Sequence, residues 1–283
     1  MDGSDSRLIL ATSVLASAGL EGLVAAPRYA VPTPMQATAA CAAIHRAADG
    51  DAEQVDELLF GEGFEVLEMR DGFAFGQAFR DGYVGWVDET ALGEPGPPAT
   101  HRIAALATFA FVEPSIKTPV VHRLSMNALA SVEAREGRFA KLHGSGWVVE
   151  PHLAPIGAFA DDPAAAALRF LGVPYLWGGR SSHGLDCSGL VQQALYACGR
   201  ACPRDSDQQQ RTLGAGVEIT DNLDGLSRND LVFWPGHVGI MLDETRLLHA
   251  NANALCVSIE SLPDAVQRIE AAGSGSPCAF RRP

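Results

Sequence analysis

The tripeptide Gly-Trp-Val occurs twice, at Gly85-Trp86-Val87 and at Gly146-Trp147-Val148, 61 residues apart. Each copy closes a similar segment. The first starts near Leu59, turns at Asp71-Gly72, resumes over Phe73-Ala74-Phe75 and turns again at Asp81-Gly82. The second starts near Ala128, turns at Glu136-Gly137, resumes over Phe139-Ala140-Lys141-Leu142 and turns at Gly144. Apolar runs broken by short Gly turns read as strand, turn, strand, tight turn, strand. Short strands repeating at this interval predict two small barrels of about 60 residues each. Residues 93–98 (GEPGPP) read as the connector between them, and residues 151–155 as a second joint.

A different composition begins at Asp161. Asp162-Pro163 opens an Ala-rich helix over residues 164–171, with Pro in a first-turn position. Helical patterns then precede strand patterns, which predicts an α+β domain. The chain of 283 residues thus divides into a helical or extended segment (1–30), a first barrel (31–95), a second barrel (96–155) and an α+β domain (156–283). Residues 8–20 carry no charge and have the length of a signal-peptide core. The preceding charges are Asp2, Asp5 and Arg7, so a positive leader region is missing. That predicts a short amphipathic helix packed on the body, and a cytoplasmic protein.

Charge narrows the partners. Lys plus Arg is 21 and Asp plus Glu is 34, a net −13. Nucleic acid and anionic lipid both require a basic face, so neither is expected as a partner, nor is a membrane. Six cysteines without a CxxC pair are too sparse for a disulfide scaffold or a zinc ribbon, and most read as reduced, buried thiols. The oligomeric state is not legible.

Cys187 differs from the other five. It follows Asp186, a good N-cap residue, and begins a helix whose face carries Leu190, Val191, Ala194, Leu195 and Cys198 before Gly199 ends it. The preceding glycines Gly178, Gly179 and Gly184 allow close backbone approach. In a first helical turn, N–H groups point at the sulfur and favour thiolate, the attacking species. A nucleophilic Cys needs a base. Residues 231–233, 237–242 and 246–250 read as three antiparallel strands, with Pro235-Gly236 and Asp243-Glu244-Thr245 at the turns. That hairpin places His237 directly across from His249 or one step off, on one face. Two unrelated histidines, or a metal site using His237, His249 and Cys187, are the competing readings. The metal site lacks a further ligand at suitable spacing, so no metal or other cofactor is expected.

Several motifs resemble the NlpC/P60 cysteine peptidases in order: Pro174-Tyr175-Leu176-Trp177-Gly178-Gly179, Asp186-Cys187-Ser188-Gly189-Leu190, Asp230-Leu231-Val232-Phe233-Trp234, Gly236-His237-Val238-Gly239-Ile240 and His249-Ala250. The Gly-Trp-Val segments resemble bacterial SH3 (SH3b) domains. The resemblance implies a papain-like α+β catalytic domain behind two SH3-like barrels. It further implies cleavage of the γ-D-glutamyl–diamino acid bond of murein peptides, a murein tripeptide or related peptide as partner, and a recycling role. Carried over, Cys187 is the nucleophile, His237 the base and acid, and His249 its orienting group. Tyr175 is an oxyanion donor or simple packing. The subgroup resemblance also implies that acidic and hydroxyl groups hold a free N-terminal L-Ala: Asp186, Ser188 and Ser206, with Glu62 and Tyr83 from the first barrel. The second barrel is poorly aromatic, so a positioning role is expected there. Acyl transfer with the same Cys-His pair, and a non-catalytic binder of wall fragments, are the alternatives.

Overall fold

A computed structural model describes residues 5–218 and 223–283. Asp2 lies outside them. The chain divides into two compact units, residues 1–156 and 157–283.

In the N-terminal unit, the first Gly-Trp-Val segment forms strands Gly63–Arg70, Phe73–Ala78 and Val84–Asp88. Arg70 pairs with Phe73 across the two-residue turn Asp71-Gly72. These strands sit within a seven-stranded sheet that also takes in Thr33–Ala37, Cys41–His45, Gln54–Leu59 and Leu92–Gly93. The second segment forms Val132–Glu136, Phe139–Leu142 and Trp147–Val149 in a five-stranded sheet, beside a three-stranded one. The two barrels are more intimately joined than a connector implies. Leu59 and Phe60 are buried in the same cluster as Ile103, Leu124, Leu142 and Val148 of the second barrel, so the first barrel supplies part of the second core. The expected joint at residues 151–155 is instead a single turn, Glu150–His152, followed by strand Leu153–Pro155, which pairs with His101–Ile103.

The predicted amphipathic helix over residues 8–20 does not form. Two 3₁₀ turns, Ser6–Leu8 and Ala18–Leu20, flank a short strand, Ala16–Ser17, paired with Tyr29–Ala30. Thr12 explains part of this: its hydroxyl accepts from the Val14 and Leu15 N–H groups and donates to the Leu15 carbonyl. Such local bonds compete with a helix for the same backbone groups.

The C-terminal unit begins with α1, Pro163–Leu168, capped by Asp162 with Pro in its first turn. α2 spans Cys187–Ala197 and α3 Ser206–Thr212. A six-stranded sheet follows in the order Ala215–Gly216, Ala279–Arg282, Leu231–Trp234, His237–Met241, Arg246–Asn251, Cys256–Ser261. An additional helix, α4 (Leu262–Ala271), precedes the last strand, so the helices-then-strands order is not strict. α4 lays Leu262, Ala265 and Ile269 against Val232, Trp234, Met241 and Leu247. α2 was expected to show one apolar face. It is buried all round, Gln192 and Gln193 included, because α1, α3 and the strands around His237 and His249 all pack on it. A fully buried Leu such as Leu190 stabilises by about 1.5–3 kcal/mol, so α2 is the pivot of this unit.

Candidate active site

The loop before α2 fixes the cysteine. Asp186 caps α2 through Gly189 N–H (2.8 Å), and its second oxygen accepts from Gly178 N–H (3.0 Å). Arg204, 1% exposed, grips the same carboxylate with both terminal nitrogens, at 2.6 and 3.0 Å, and also donates to Ser188 Oγ at 2.9 Å. Gly189 is required for close approach: a Cβ there would lie 2.3 Å from the Gly179 carbonyl oxygen. Cys187 is thereby held at the helix start, 6% exposed.

Pro235 and Gly236 form a two-residue turn, with Gly236 at φ 74°, so that Trp234 pairs with His237. Cys187 Sγ lies 4.0 Å from the Gly236 carbonyl oxygen. The Val238 N–H is also directed at it. The sulfur therefore rests against the peptide groups on both sides of His237.

The two histidines meet on one face, one step off direct pairing. Ile240 pairs with Leu248 and Met241 with Leu247. Continuing that register puts Gly239, not His237, across from His249. The rings are diagonal neighbours on one face, and the missing side chain at Gly239 leaves them room: a Cβ there would come within 3.2 Å of the His249 Cβ. His237 Nε2 and His249 Nδ1 are 2.9 Å apart. That leaves Nδ1 of His237 for the thiol. His249, fully buried, hydrogen-bonds through Nε2 to Glu260 Oε1 at 2.7 Å. Arg268 on α4 closes the chain by donating to both Glu260 oxygens.

Burial pushes the Cys187 thiol up to about 12, and the Asp186 carboxylate adds to the rise; the Val238 N–H, Arg204 and the Ser188 N–H pull against them. Burial likewise pushes His237 down to about 3, with His249 and Arg268 adding to the fall. Desolvation disfavours the charged form of each group, while the N–H groups at the helix start pull the thiol the other way. Burial holds His249 below its usual range too, against the pull of Glu260.

The remaining predicted residues divide. Tyr175 is raised by burial and by the charges of Cys187 and Asp186, which places its hydroxyl in electrostatic reach of both. Ser188 is 5% exposed and its Oγ donates to Asp186 at 3.1 Å. Ser206 opens α3, whose Gln209 binds the Ser188 carbonyl at 3.0 Å. Asp186 and Ser188 thus already serve the fold, and an ammonium would share their oxygens with Arg204. Glu62 is 1% exposed and pairs with Arg80 at 2.5 Å inside the N-terminal unit, where it also accepts from Leu59 N–H. Tyr83 lies in the core of the first barrel. The structure gives both a structural task there. Arg204, Glu260 and Arg268 were not anticipated. The strand register carried a signal for Glu260: it lies two residues beyond Ser258, the partner of His249, on the same face. Among the described residues, no group of three or more His, Cys, Asp or Glu side chains is placed to hold a metal ion, and no helix is long and apolar enough to cross a membrane.

A cysteine at a buried helix start, a histidine pair on the adjoining sheet and barrels ahead of them define the class. Residues 172–269 match the NlpC/P60 family, and residues 44–92 match the bacterial dipeptidyl-peptidase SH3 domain. The chain therefore carries an NlpC/P60 domain together with a bacterial SH3 domain. It is 27% identical over 243 residues to dipeptidyl-peptidase 6 of Lysinibacillus sphaericus, covering 76% of this chain and 87% of the relative. It is 28% identical over 215 residues to the γ-D-glutamyl-L-lysine dipeptidyl-peptidase of Bacillus subtilis, covering 71% and 69%. The crystal structure of an NlpC/P60 family protein from Bacillus cereus superposes with a TM-score of 0.74 at 18% identity, covering 88% of this chain and 99% of that one. The last shows the shared fold; the relatives named as peptidases support a cell-wall peptidase.

Proposed function

We propose that the protein is a cysteine peptidase that cleaves the γ-D-glutamyl–diamino acid bond of murein peptides bearing a free N-terminal L-Ala, in cytoplasmic recycling of wall fragments. The observation that carries the reading is the sulfur of Cys187 seated against the peptide groups flanking His237, with His249 on the far nitrogen of that ring. The relatives' names support the bond and the substrate class.

The chemistry follows from the atoms available. As Sγ attacks the γ-carbonyl of D-Glu, its proton passes to His237 Nδ1. The carbonyl oxygen becomes an oxyanion beside the Cys187 N–H at the start of α2 and the Tyr175 hydroxyl. His237 returns the proton to the departing amine of the diamino acid, which leaves a thioester on Cys187. It then takes a proton from water, which attacks the thioester and releases L-Ala-D-Glu and the thiol. His249 keeps the ring of His237 turned so that Nδ1 meets the sulfur. In this reading oxygens of Asp186, Ser188 and Ser206 accept from the substrate ammonium, those of Asp186 and Ser188 while also accepting from Arg204.

The test is incubation with L-Ala-γ-D-Glu-meso-diaminopimelate and its N-acetyl derivative, followed by mass analysis. Release of L-Ala-D-Glu from the free peptide alone is the expected result. Equal turnover of the acetylated peptide refutes the ammonium requirement, and no release from either refutes the peptidase. Transfer of the dipeptide to an added amine in place of water marks an acyltransferase.

A further inference from the structure

Two neutral imidazoles in contact can relay protons in either of two directions, and only one of them leaves a usable base. If His237 carries its proton on Nδ1, it cannot accept the thiol proton. Something must choose the direction, and the choice is made beyond His249. Glu260 Oε1 stands 2.7 Å from His249 Nε2. An ionised carboxylate only accepts, so the His249 proton must be on Nε2. A neutral imidazole has a single N–H, so His249 Nδ1 is then an acceptor. His237 Nε2, 2.9 Å away, must donate to it. Nδ1 of His237 is left bare.

We propose that Glu260, gripped by Arg268, is a positioning residue that fixes the tautomer of His249 and through it sets His237 as a base toward Cys187. The catalytic consequence rests on the peptidase reading above. The parts converge from consecutive elements. His249 pairs with Ser258, so Glu260 projects from the same face two residues on. α4 begins directly after that strand and brings Arg268 back over it. Arg268 donates to both carboxylate oxygens, from Nη2 at 2.5 Å and from Nε at 3.2 Å. This grip stops the carboxylate from rotating away. Burial works against ionisation of Glu260, and the bonds from Arg268 and His249 overcome it. Arg268 also disfavours a charged His249, so the ring orients its neighbour without competing with it for the proton. The charged or titratable groups in this chain of contacts are His237 and His249 on the sheet interior, Glu260 on the edge strand and Arg268 on α4.

The arrangement has a diagnostic asymmetry. Removing Glu260 alone leaves a guanidinium beside His249 Nε2. That donor demands an acceptor there, moves the proton to Nδ1 and reverses the relay. Removing Arg268 as well relieves the demand.

The experiment is long-range ¹H–¹⁵N NMR of histidine-labelled full-length protein, in wild type, Glu260→Ala and Glu260→Ala/Arg268→Ala, with kcat and KM on the murein tripeptide. The expected wild-type spectrum shows both rings protonated on Nε2. In Glu260→Ala the His249 proton moves to Nδ1, and kcat falls about 10–100-fold with KM within about twofold, the size typical of lost orienting partners. The double variant recovers several-fold in kcat, an outcome a merely structural ion pair would not give. A wild-type His249 proton on Nδ1 overturns the proposal without any variant, even if Glu260→Ala fails to fold. Unchanged tautomers with unchanged kcat in Glu260→Ala, or a double variant no faster than the single, overturn it as well. A wild type that leaves the tripeptide intact refutes the peptidase reading, while the spectra still decide the role of Glu260.

Discussion

Replacing Arg204 by methionine keeps much of the side-chain volume and removes both charge-assisted bonds to Asp186, at 2.6 and 3.0 Å, together with the bond to Ser188. Hydrogen bonds to charged groups are each worth about 1.5–3 kcal/mol, so the two to the carboxylate sum to about 3–6 kcal/mol. Breaking a buried ion pair from one side costs about 3–5 kcal/mol by an independent route, because a charge is left buried alone. The two agree. Asp186 keeps Gly178 and Gly189 N–H as partners, which favours the lower half of the range. For a unit of this size, 1 kcal/mol moves Tm by roughly 3–4 °C, so the expected drop is about 10–15 °C. The assay is differential scanning calorimetry of the full chain, read on the transition of the C-terminal unit. A second consequence is chemical. Arg204 is one of the groups that hold the Cys187 thiol down, so its loss slows alkylation of Cys187 at fixed pH. A fall in Tm below about 3 °C with unchanged alkylation would refute the claim that Arg204 is what makes the buried carboxylate tolerable.

Three further outcomes follow from the same geometry. Alkylation of Cys187 by iodoacetamide in the resting protein rises steadily with pH through the alkaline range, because burial keeps the thiol protonated up to about 12; a rate that is high and flat from pH 5 to 8 contradicts this. Acid weakens the C-terminal unit. His237 titrates near 3 when folded and at 6.5 otherwise, so below 6.5 the unfolded chain binds the extra proton, and stability falls by as much as about 4–5 kcal/mol on going from pH 6.5 to 3. Denaturant midpoints that stay level across that window refute it. Gly189→Ala drives a methyl group into the Gly179 carbonyl and within 3.1 Å of Asp186 Oδ1. It is expected to displace the start of α2, costing about 1–3 kcal/mol of stability and at least tenfold in kcat; turnover and a melting curve matching wild type would show that the close approach does not matter.

The parts of the fold set by local chemistry were legible in the sequence. The Asp71-Gly72 turn, the Asp162-Pro163 helix start and the Asp186 cap each follow from residues within one turn of the chain. The parts set by distant partners were not. Residues 8–20 have helical composition, yet Thr12 and the strand Tyr29–Ala30 take their backbone groups. The face of α2 that carries Gln192 and Gln193 reads as solvent-exposed, and only the helix-plus-sheet packing around it buries them. In the site, Cys187, His237 and His249 stood out because their spacing is local to a helix start and a hairpin. The diagonal contact of the rings depends on Gly239, a residue whose role is to have no side chain. Arg204 and Arg268 reach their carboxylates from other elements, so no sequence spacing announced them.

The central claim is that acyl transfer passes through one buried sulfur. Rapid mixing of wild-type protein with L-Ala-γ-D-Glu-meso-diaminopimelate, acid quench within the first turnovers and peptide mass mapping address it directly. The account predicts an L-Ala-D-Glu acyl group on the peptide that contains Cys187, absent from a Cys187→Ala variant that also releases no product. Turnover by that variant, or an acyl group mapped to any other residue during wild-type turnover, would contradict it.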